Sequence, residues 1–283
     1  MEVCHLTIQP ASLTLQENLE GHSAQDGLKV SILGSGSSGN SAVISCGETH
    51  VLLDCGFSGK EIQRRLKMVG IDETEIQAIL VTHEHGDHVQ SAHTLSNRLE
   101  VPIYTTEGTF DSSFSEKKFY DWIEIQSGHS FSLGEISIHP VTLPHDAADP
   151  VGFRFEARDR ICAHITDCGY PSGPVVEALK GSHSLIVEAN YDHDMLRDGP
   201  YPWSLKQRIA SRIGHLSNDS LLEIFESILS EETRSLTLAH ISENNNHPGI
   251  LGMQTKKKLI EIGLPDLPFV LAKQHTPTIA FFV

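Results

Sequence analysis

Four times in this chain a short apolar run ends on a residue that can bind a metal ion, and this recurrence constrains the fold more than any other feature. The strongest instance is Thr82-His83-Glu84-His85-Gly86-Asp87-His88, directly after residues 78–81. The others are His145 after residues 136–143, Asp167 after residues 160–166, and His240 after residues 235–239. A lone histidine at a strand end is ordinarily a solvated turn residue. Four candidate ligands within six positions are costly to explain that way, because imidazole mixed with carboxylate is the donor set of zinc, manganese and iron sites. Residues at like ends of several strands converge on one edge of a fold, where open sheets place their sites.

Further β-type runs fall at residues 29–33, 41–46, 50–54, 151–157, 184–189, 269–272 and 278–282, several of them wholly apolar as buried strands are. Helical patterns occupy 59–69, 91–99, 205–213, 220–229 and 250–262. Ser217 and Asn218 offer capping groups ahead of Leu221, Leu222, Phe225, Ile228 and Leu229 at helical spacing. Strands and helices mixed in this way predict an α/β (α+β) chain of sheets covered by helices. Residues 1–26 are weakly patterned and read as an N-terminal extension of a domain spanning 27–283.

Lys and Arg number 21 against 37 Asp and Glu, a formal charge of −16 over 283 residues. That balance disfavours a broad basic face for nucleic acid, though bound divalent ions can supply positive charge locally for a phosphate substrate. Five cysteines, an odd number without C-x-x-C spacing, argue against a disulfide framework or a thiolate zinc cluster and for a reducing cytoplasm. The first 22 residues lack the pattern of an export signal, and no apolar run approaches the roughly 18 residues that span a bilayer. A cytoplasmic location without membrane attachment is expected.

The sequence resembles the metallo-β-lactamase superfamily over nearly all of its length after residue 26. His83, His85, Asp87 and His88 match the signature loop of that family, His145 its third motif, Asp167 its bridging aspartate and His240 its final ligand histidine. The resemblance implies a four-layer αββα sandwich holding two divalent metal ions, zinc or manganese, with iron as a further option. His83, His85 and His145 would hold the first ion and Asp87, His88 and His240 the second, with Asp167 bridging. Glu188-Ala189-Asn190-Tyr191-Asp192-His193, Gly199-Pro200-Tyr201-Pro202, Gly214-His215-Leu216-Ser217-Asn218 and Ala239-His240-Ile241-Ser242-Glu243-Asn244-Asn245 narrow it to the WalJ/YycJ-type subgroup, as does Gly34-Ser35-Gly36-Ser37-Ser38-Gly39-Asn40-Ser41. Members of that subgroup are described as cytoplasmic nucleases acting on DNA from a 5′ end.

The chemistry expected on that resemblance is phosphodiester hydrolysis by a hydroxide held between two metals, with Asp87 and His215 as the catalytic residues. His215 is the candidate general acid for the departing oxygen, because imidazole titrates near working pH. Expected substrate contacts are Ser37, Ser38 and Asn40 in the glycine-rich loop, together with His193, Asn244 and Asn245. Asp54, at the end of a strand, is read either as a turn residue or as the partner of a ligand histidine. The expected partner is DNA, with a small or cyclic phosphodiester as the competing substrate. Thioester or lactone hydrolysis on the same scaffold is the further alternative, because a fold does not fix a function. A non-enzymatic metal-binding module is the remaining one.

Overall fold

The computed structural model describes residues 27–118 and 120–282; the expected extension 1–26, with Cys4, lies outside the described residues. The strands are β1 (Lys29–Gly34), β2 (Ser41–Cys46), β3 (Thr49–Leu53), β4 (Ile76–Leu80), β5 (Ile103–Thr105), β6 (Trp122–Glu124) and β7 (Phe131–Leu133). They continue as β8 (Ile136–Thr142), β9 (Val151–Ala157), β10 (Arg160–Ile165), β11 (Ser184–Glu188), β12 (Ser235–Ala239), β13 (Phe269–Leu271) and β14 (Thr278–Phe282). The helices are α1 (Gly59–Met68), α2 (Gly86–Val89), α3 (Ala92–Leu99), α4 (Glu107–Ser113) and α5 (Gly173–Leu179), followed by α6 (His193–Asp198), α7 (Trp203–Ile209), α8 (Asn218–Ile228) and α9 (Pro248–Glu261).

Two seven-stranded sheets form, in the orders β14-β1-β2-β3-β4-β5-β6 and β13-β12-β11-β10-β9-β8-β7. Their facing surfaces share a core of residues such as Ile32, Ile44, Val51 and Leu80 against Ile138, Phe153, Phe155 and Ile186. On the outer face of the first sheet, α1 and α3 bury Ile62, Leu66 and Leu95. On the outer face of the second, α5, α8 and α9 bury Leu179, Leu221, Phe225, Leu251 and Leu259. The result is the four-layer αββα sandwich. Ser217 caps α8 by accepting the Ser220 N–H, and Leu221, Phe225 and Ile228 follow at the spacing that puts one apolar stripe on the sheet. Among the described residues no helix is long and apolar enough to cross a membrane.

Several elements differ from the sequence expectation for local reasons. β5, β6 and β7 have three residues each, too few for a periodic signal. The helix expected at 205–213 is α7, which starts earlier and stops at Ile209. Gly214 folds back so closely that a Cβ there would lie 2.2 Å from the carbonyl oxygens of Arg208 and Ile209, and the Ser211 hydroxyl donates to the Arg208 carbonyl at 2.8 Å.

Strand direction explains where the chemistry gathers. β10, β11 and β12 run parallel, and β8 runs with them because β9 is antiparallel to both β8 and β10. Their carboxyl ends therefore share one edge, and those ends lead into His145, Asp167, Glu188 and His240. In the other sheet β3 and β4 are parallel and deliver Asp54 and the Thr82 to His88 loop. Asp54, Asp167 and His240 have φ of 56°, 58° and 51°, a left-handed turn that swings each side chain off its strand axis. Non-glycine residues held there cost on the order of 1 kcal/mol each, and such strain clusters at functional sites.

One core histidine has no role at that edge. His164 shares the inward face of β10 with Cys162, and its Nδ1 is buried without a hydrogen-bond partner. Burial pulls its pKa down to about 4, against a partial upward pull from Asp54. The unfolded chain binds this proton near pH 6.5 and the folded chain only near 4, so the stability tied to neutral His164 is complete above 6.5 and is lost as pH falls toward 4. Urea unfolding of the unaltered protein and of His164→Leu across that window is expected to show the variant losing less, by up to about 3 kcal/mol. Parallel pH profiles for the two proteins would contradict this.

Candidate metal centre

The loop after β4 is short because α2 begins at Gly86, with His85 in the N-cap position, and this single turn presents His83, His85, Asp87 and His88 on different sides. Nδ1 of His85 lies 3.1 Å from Nε2 of His83 and 3.2 Å from Nε2 of His145. Three imidazole nitrogens facing each other leave at most one proton per contact between them, which suits a shared cation better than a hydrogen-bond network. The other nitrogens are held from behind. His83 Nδ1 sits 3.0 Å from the Thr82 hydroxyl, and His145 Nδ1–H donates to the Gly214 carbonyl at 3.0 Å.

A second nest forms beside the first. Nε2 of His88 and Nε2 of His240 each lie 3.6 Å from Asp87 Oδ2. Asp167 stands between the nests, with Oδ1 3.9 Å from His145 Nε2 and 3.6 Å from His240 Nε2, and Oδ2 3.2 Å from His88 Nε2. Asp167 Oδ2 and His240 Nε2 are nonetheless buried without a hydrogen bond. Burying polar atoms unpaired costs about 1–3 kcal/mol each, and a cation among them removes that cost. Within each of the groups His83/His85/His145, Asp87/His88/His240 and His83/His88/Asp167, one donor atom per residue lies within 4.8 Å of the others. The residues present therefore fit two divalent ions.

The titration pattern agrees with that fit. Burial, reinforced by His88, pushes His83 well below the ordinary imidazole value, and burial likewise lowers His145, so both offer lone pairs. Burial also opposes charge on His88 and His240, but Asp167, together with Asp54 at His88 and with Asp87 and Glu188 at His240, more than offsets it and raises both well above the ordinary value. Protons there neutralise buried carboxylates, a task that cations take over when ligands bind in deprotonated form.

Behind the donors lies a set of orienting groups. Asp54 accepts the His88 Nδ1–H at 2.8 Å and the Thr82 N–H at 2.9 Å, so from its left-handed turn it serves as the partner of a ligand-type histidine. Asn190 donates to the His240 carbonyl at 2.8 Å, and the Ser35 hydroxyl accepts the His240 N–H at 2.9 Å. Glu188, which the sequence gave no role, is the hub. Its Oε1 accepts from His215 Nδ1 at 2.8 Å and from His240 Nδ1 at 2.9 Å, while Oε2 accepts the backbone N–H groups of Cys168 and Leu216 at 2.8 and 3.0 Å. Burial pushes its carboxyl up, and the His215 and His240 imidazoles more than offset this, holding it at about 2. Its signal in the sequence was a lone carboxylate ending a wholly buried apolar strand, as Asp167 does.

His215 lies beside His240, ring centroids 5.1 Å apart, and faces a cavity of about 380 Å³. Burial lowers its pKa, but the Glu188 carboxylate more than compensates and keeps the imidazole above its ordinary value. With Nδ1 engaged by Glu188, Nε2 is the nitrogen that serves the cavity. That cavity is lined by His85, Asp87, Asp167 and His240 and also by Tyr201, Leu205, Arg208 and Ile209. Arg208 donates to Asp146, the residue after His145.

The expected substrate contacts divide. Ser37 and Asn245 line the cavity, and Asn244 reaches it through its hydrogen bond to the Tyr201 hydroxyl at 2.9 Å. Asn40 is buried and points at the donors, with Nδ2 3.2 Å from Asp87 Oδ2 and 3.0 Å from His88 Nε2. The glycine loop is not an anion cradle of free N–H groups. Gly36 N–H is taken by Asn40 Oδ1, Ser38 N–H by Gln274 Oε1, and Asn40 N–H by the Asp87 carbonyl. Ser38 and His193 do not line the cavity; His193 is 55% exposed, 3.9 Å from Asp219 and edge-on to Tyr191.

Comparison with known proteins bears on the family. A model of the β-lactamase superfamily domain matches residues 49–241. Exodeoxyribonuclease YycJ of Bacillus anthracis is 34% identical over 244 residues, 84% of this chain and 91% of that protein. Exodeoxyribonuclease WalJ of Streptococcus pneumoniae is likewise 34% identical over 244 residues, 84% of this chain and 90% of that one. Among solved structures, the metallo-β-lactamase fold protein YhfI of Bacillus subtilis superposes with a TM-score of 0.69 at 16% identity, covering 89% of this chain and 99% of its own. Matched along most of its length by family and relatives alike, and carrying buried histidine and carboxylate nests at the edge of an αββα sandwich, the chain belongs to the metallo-β-lactamase superfamily as a WalJ/YycJ-like, metal-dependent hydrolase.

Proposed function

We propose that this protein is a binuclear phosphodiesterase, an exodeoxyribonuclease that removes nucleotides from the 5′ end of DNA in the cytoplasm, with His215 as general acid. The observation that carries the reading is the shared carboxylate of Glu188, which ties His215 to His240 and so sets a proton donor beside two cation nests. The names of YycJ and WalJ as exodeoxyribonucleases support DNA as the substrate. The buried free thiols of Cys46, Cys55, Cys162 and Cys168 support a reducing compartment.

In this reading His83, His85 and His145 would hold one ion and Asp87, His88 and His240 the other, with Asp167 in reach of both groups. Bound divalent ions supply Lewis acidity and a nucleophile at neutral pH. The chain supplies geometry and proton transfer. Asp54, the Thr82 hydroxyl, Glu188 and the Gly214 carbonyl engage one nitrogen each of His88, His83, His240 and His145 and leave the other nitrogen of each ring for binding. Glu188 keeps the His215 Nδ1–H in place, so the Nε2 proton is the one handed to the departing sugar oxygen. Asn40 holds Asp87 and His88 in register. Ser37 and Asn245 meet the substrate in the cavity.

The test uses manganese- and zinc-loaded protein with bis(p-nitrophenyl) phosphate and with DNA labelled at either end. The expected result is hydrolysis of both, release of label first from the 5′ end, and loss of both activities on chelation with recovery on adding either metal. Metal is also expected to raise the unfolding temperature, by about 2.7 kcal/mol of stability at a hundredfold excess over Kd. Cleavage of the small diester alone would move the substrate to a small or cyclic phosphodiester. Bound metal with neither substrate cleaved would overturn the phosphodiesterase reading.

A further inference from the structure

The charge of −16 leaves open how such a chain holds a polyanion, and the part of the cavity lining that α7 contributes offers an answer. From Gly199 to Asn218 there is no Asp or Glu, while Lys206, Arg208 and Arg212 fall within seven positions. This stretch contains α7 and the turn into His215, and of its cations Arg208 lines the cavity, with Lys206 on the same helix and Arg212 in the turn that follows. It is built and not loose: Tyr191, Leu196 and Ile209 form a small core with Tyr201 and Leu205, and the Gly214 turn packs on the carbonyls at the end of α7.

The three cations are not buried, and each has a partner that a phosphate can replace or join; Lys206 Nζ donates to the Arg197 carbonyl at 2.6 Å. Arg208 lines the cavity and is paired with Asp146, whereas the Arg212 guanidinium lies over the Tyr170 ring at 4.0 Å, with its own charge left for an anion. Aromatic surface accompanies them. Tyr201 lines the cavity, and Trp203, two residues further on, is 69% exposed and so open to a stacking base. Cations that follow a backbone beside exposed aromatic faces are the pairing by which proteins hold single strands, phosphates on the charges and bases stacked on the rings.

We propose that the segment from Gly199 to Gly214 is the grip for a single DNA strand, with Lys206, Arg208 and Arg212 on successive phosphates and a base stacked on Trp203. The inference takes its substrate from the phosphodiesterase reading above and adds the surface that binds it. Arg208, at the cavity wall, takes the phosphate nearest the metal centre by exchanging its Asp146 partner for a phosphate oxygen. Lys206 and Arg212 then carry the strand outward. The grip is local, which reconciles an acidic chain with an anionic polymer.

Trp122 and Trp203 are the two tryptophans of the sequence, and Trp122 is stacked on Phe110 on the far strand β6. In manganese-loaded Trp122→Phe protein, emission therefore reports Trp203 alone. Titration with a single-stranded phosphorothioate DNA oligonucleotide is expected to quench it. Replacing Lys206, Arg208 and Arg212 together by alanine is expected to lower the slope of log affinity against log salt by about 2, at roughly 0.7 per lost phosphate contact. Trp203→Ala, read by anisotropy of labelled DNA, is expected to weaken binding about tenfold. An unchanged unfolding temperature and metal content in each variant keep these losses apart from misfolding. Equal affinity and salt slope in the triple variant, or tighter binding of RNA or duplex than of single-stranded DNA, overturns the proposal. Hydrolysis of bis(p-nitrophenyl) phosphate by the unaltered protein separates the two claims. If the diester is cleaved and DNA does not bind, the grip fails and the catalytic reading stands; if DNA binds through this segment and the diester is untouched, the catalytic reading fails.

Discussion

His215→Ala is expected to lower kcat on DNA by about 10²–10⁴ while the protein keeps its metal, the range over which a positioned general acid acts. The loss depends on the leaving group. A sugar oxygen departs poorly without a proton, whereas p-nitrophenolate departs as a stable anion, so bis(p-nitrophenyl) phosphate is expected to lose far less than DNA. His215 is not among the His83, His85 and His145 donors, and His240 retains its own hydrogen bond to Glu188, so removal of His215 is expected to leave the donors in place. Metal analysis beside the two rate measurements decides the point. Equal losses on both substrates with full metal content would mean that His215 positions the substrate and does not protonate it.

Glu188→Gln is expected to be nearly as damaging through a different route. The carboxylate has four hydrogen-bond donors pointing at it, two from backbone and two from imidazoles. A glutamine can keep its oxygen on the Cys168 and Leu216 N–H groups only by turning its NH₂ toward His215 and His240. Each ring must then accept at Nδ1 and carry its proton on Nε2, the nitrogen that His240 offers to a cation. Loss of such an orienting partner typically costs 10–100-fold in metal affinity. The measurements are chelator competition for the more weakly held ion and DNA cleavage, both expected to fall with the fold intact. Glu188→Ala goes further, since emptying a buried charged hub costs about 3–5 kcal/mol and lowers the unfolding temperature as well. A glutamine variant with unaltered metal affinity would show that His240 does not depend on this carboxylate.

The contrast between these two residues shows what the sequence made legible. His83, His145, Asp167 and His240 were visible because each follows an apolar run, and His85, Asp87 and His88 because they crowd the loop behind His83; parallel strand ends gather such residues without further information. The buried strands were legible for the same reason, as were α8 and its cap. Glu188 obeys the same positional rule but lacks a histidine-rich neighbourhood, so its strand end looked ordinary. Asn40 read as a loop residue facing substrate because the sequence does not show that Asp87, 47 positions away, closes over it. The same limit hid the pairing of Arg208 with Asp146 across 62 positions. Short elements such as β5, β6 and α4 were invisible because three to seven residues carry no resolvable period.

The loop between β1 and β2 is held from the other end of the chain. Ser35 N–H bonds the Lys273 carbonyl, Ser38 N–H bonds Gln274 Oε1, and Gln274 Nε2–H bonds the Gly39 carbonyl, while Arg65 donates to the Leu33 and Gln274 carbonyls. Residues 272–277 make these contacts as they cross from β13 in one sheet to β14 in the other. During vectorial synthesis every donor atom of both nests has been made by His240, yet the loop that steadies Asp87 and His88 through Asn40 has no clasp until Gln274 arrives. On the function proposed above, catalytic competence is therefore expected only with the strand that closes the sandwich, and a nascent chain holding every candidate ligand is still an unfinished tool.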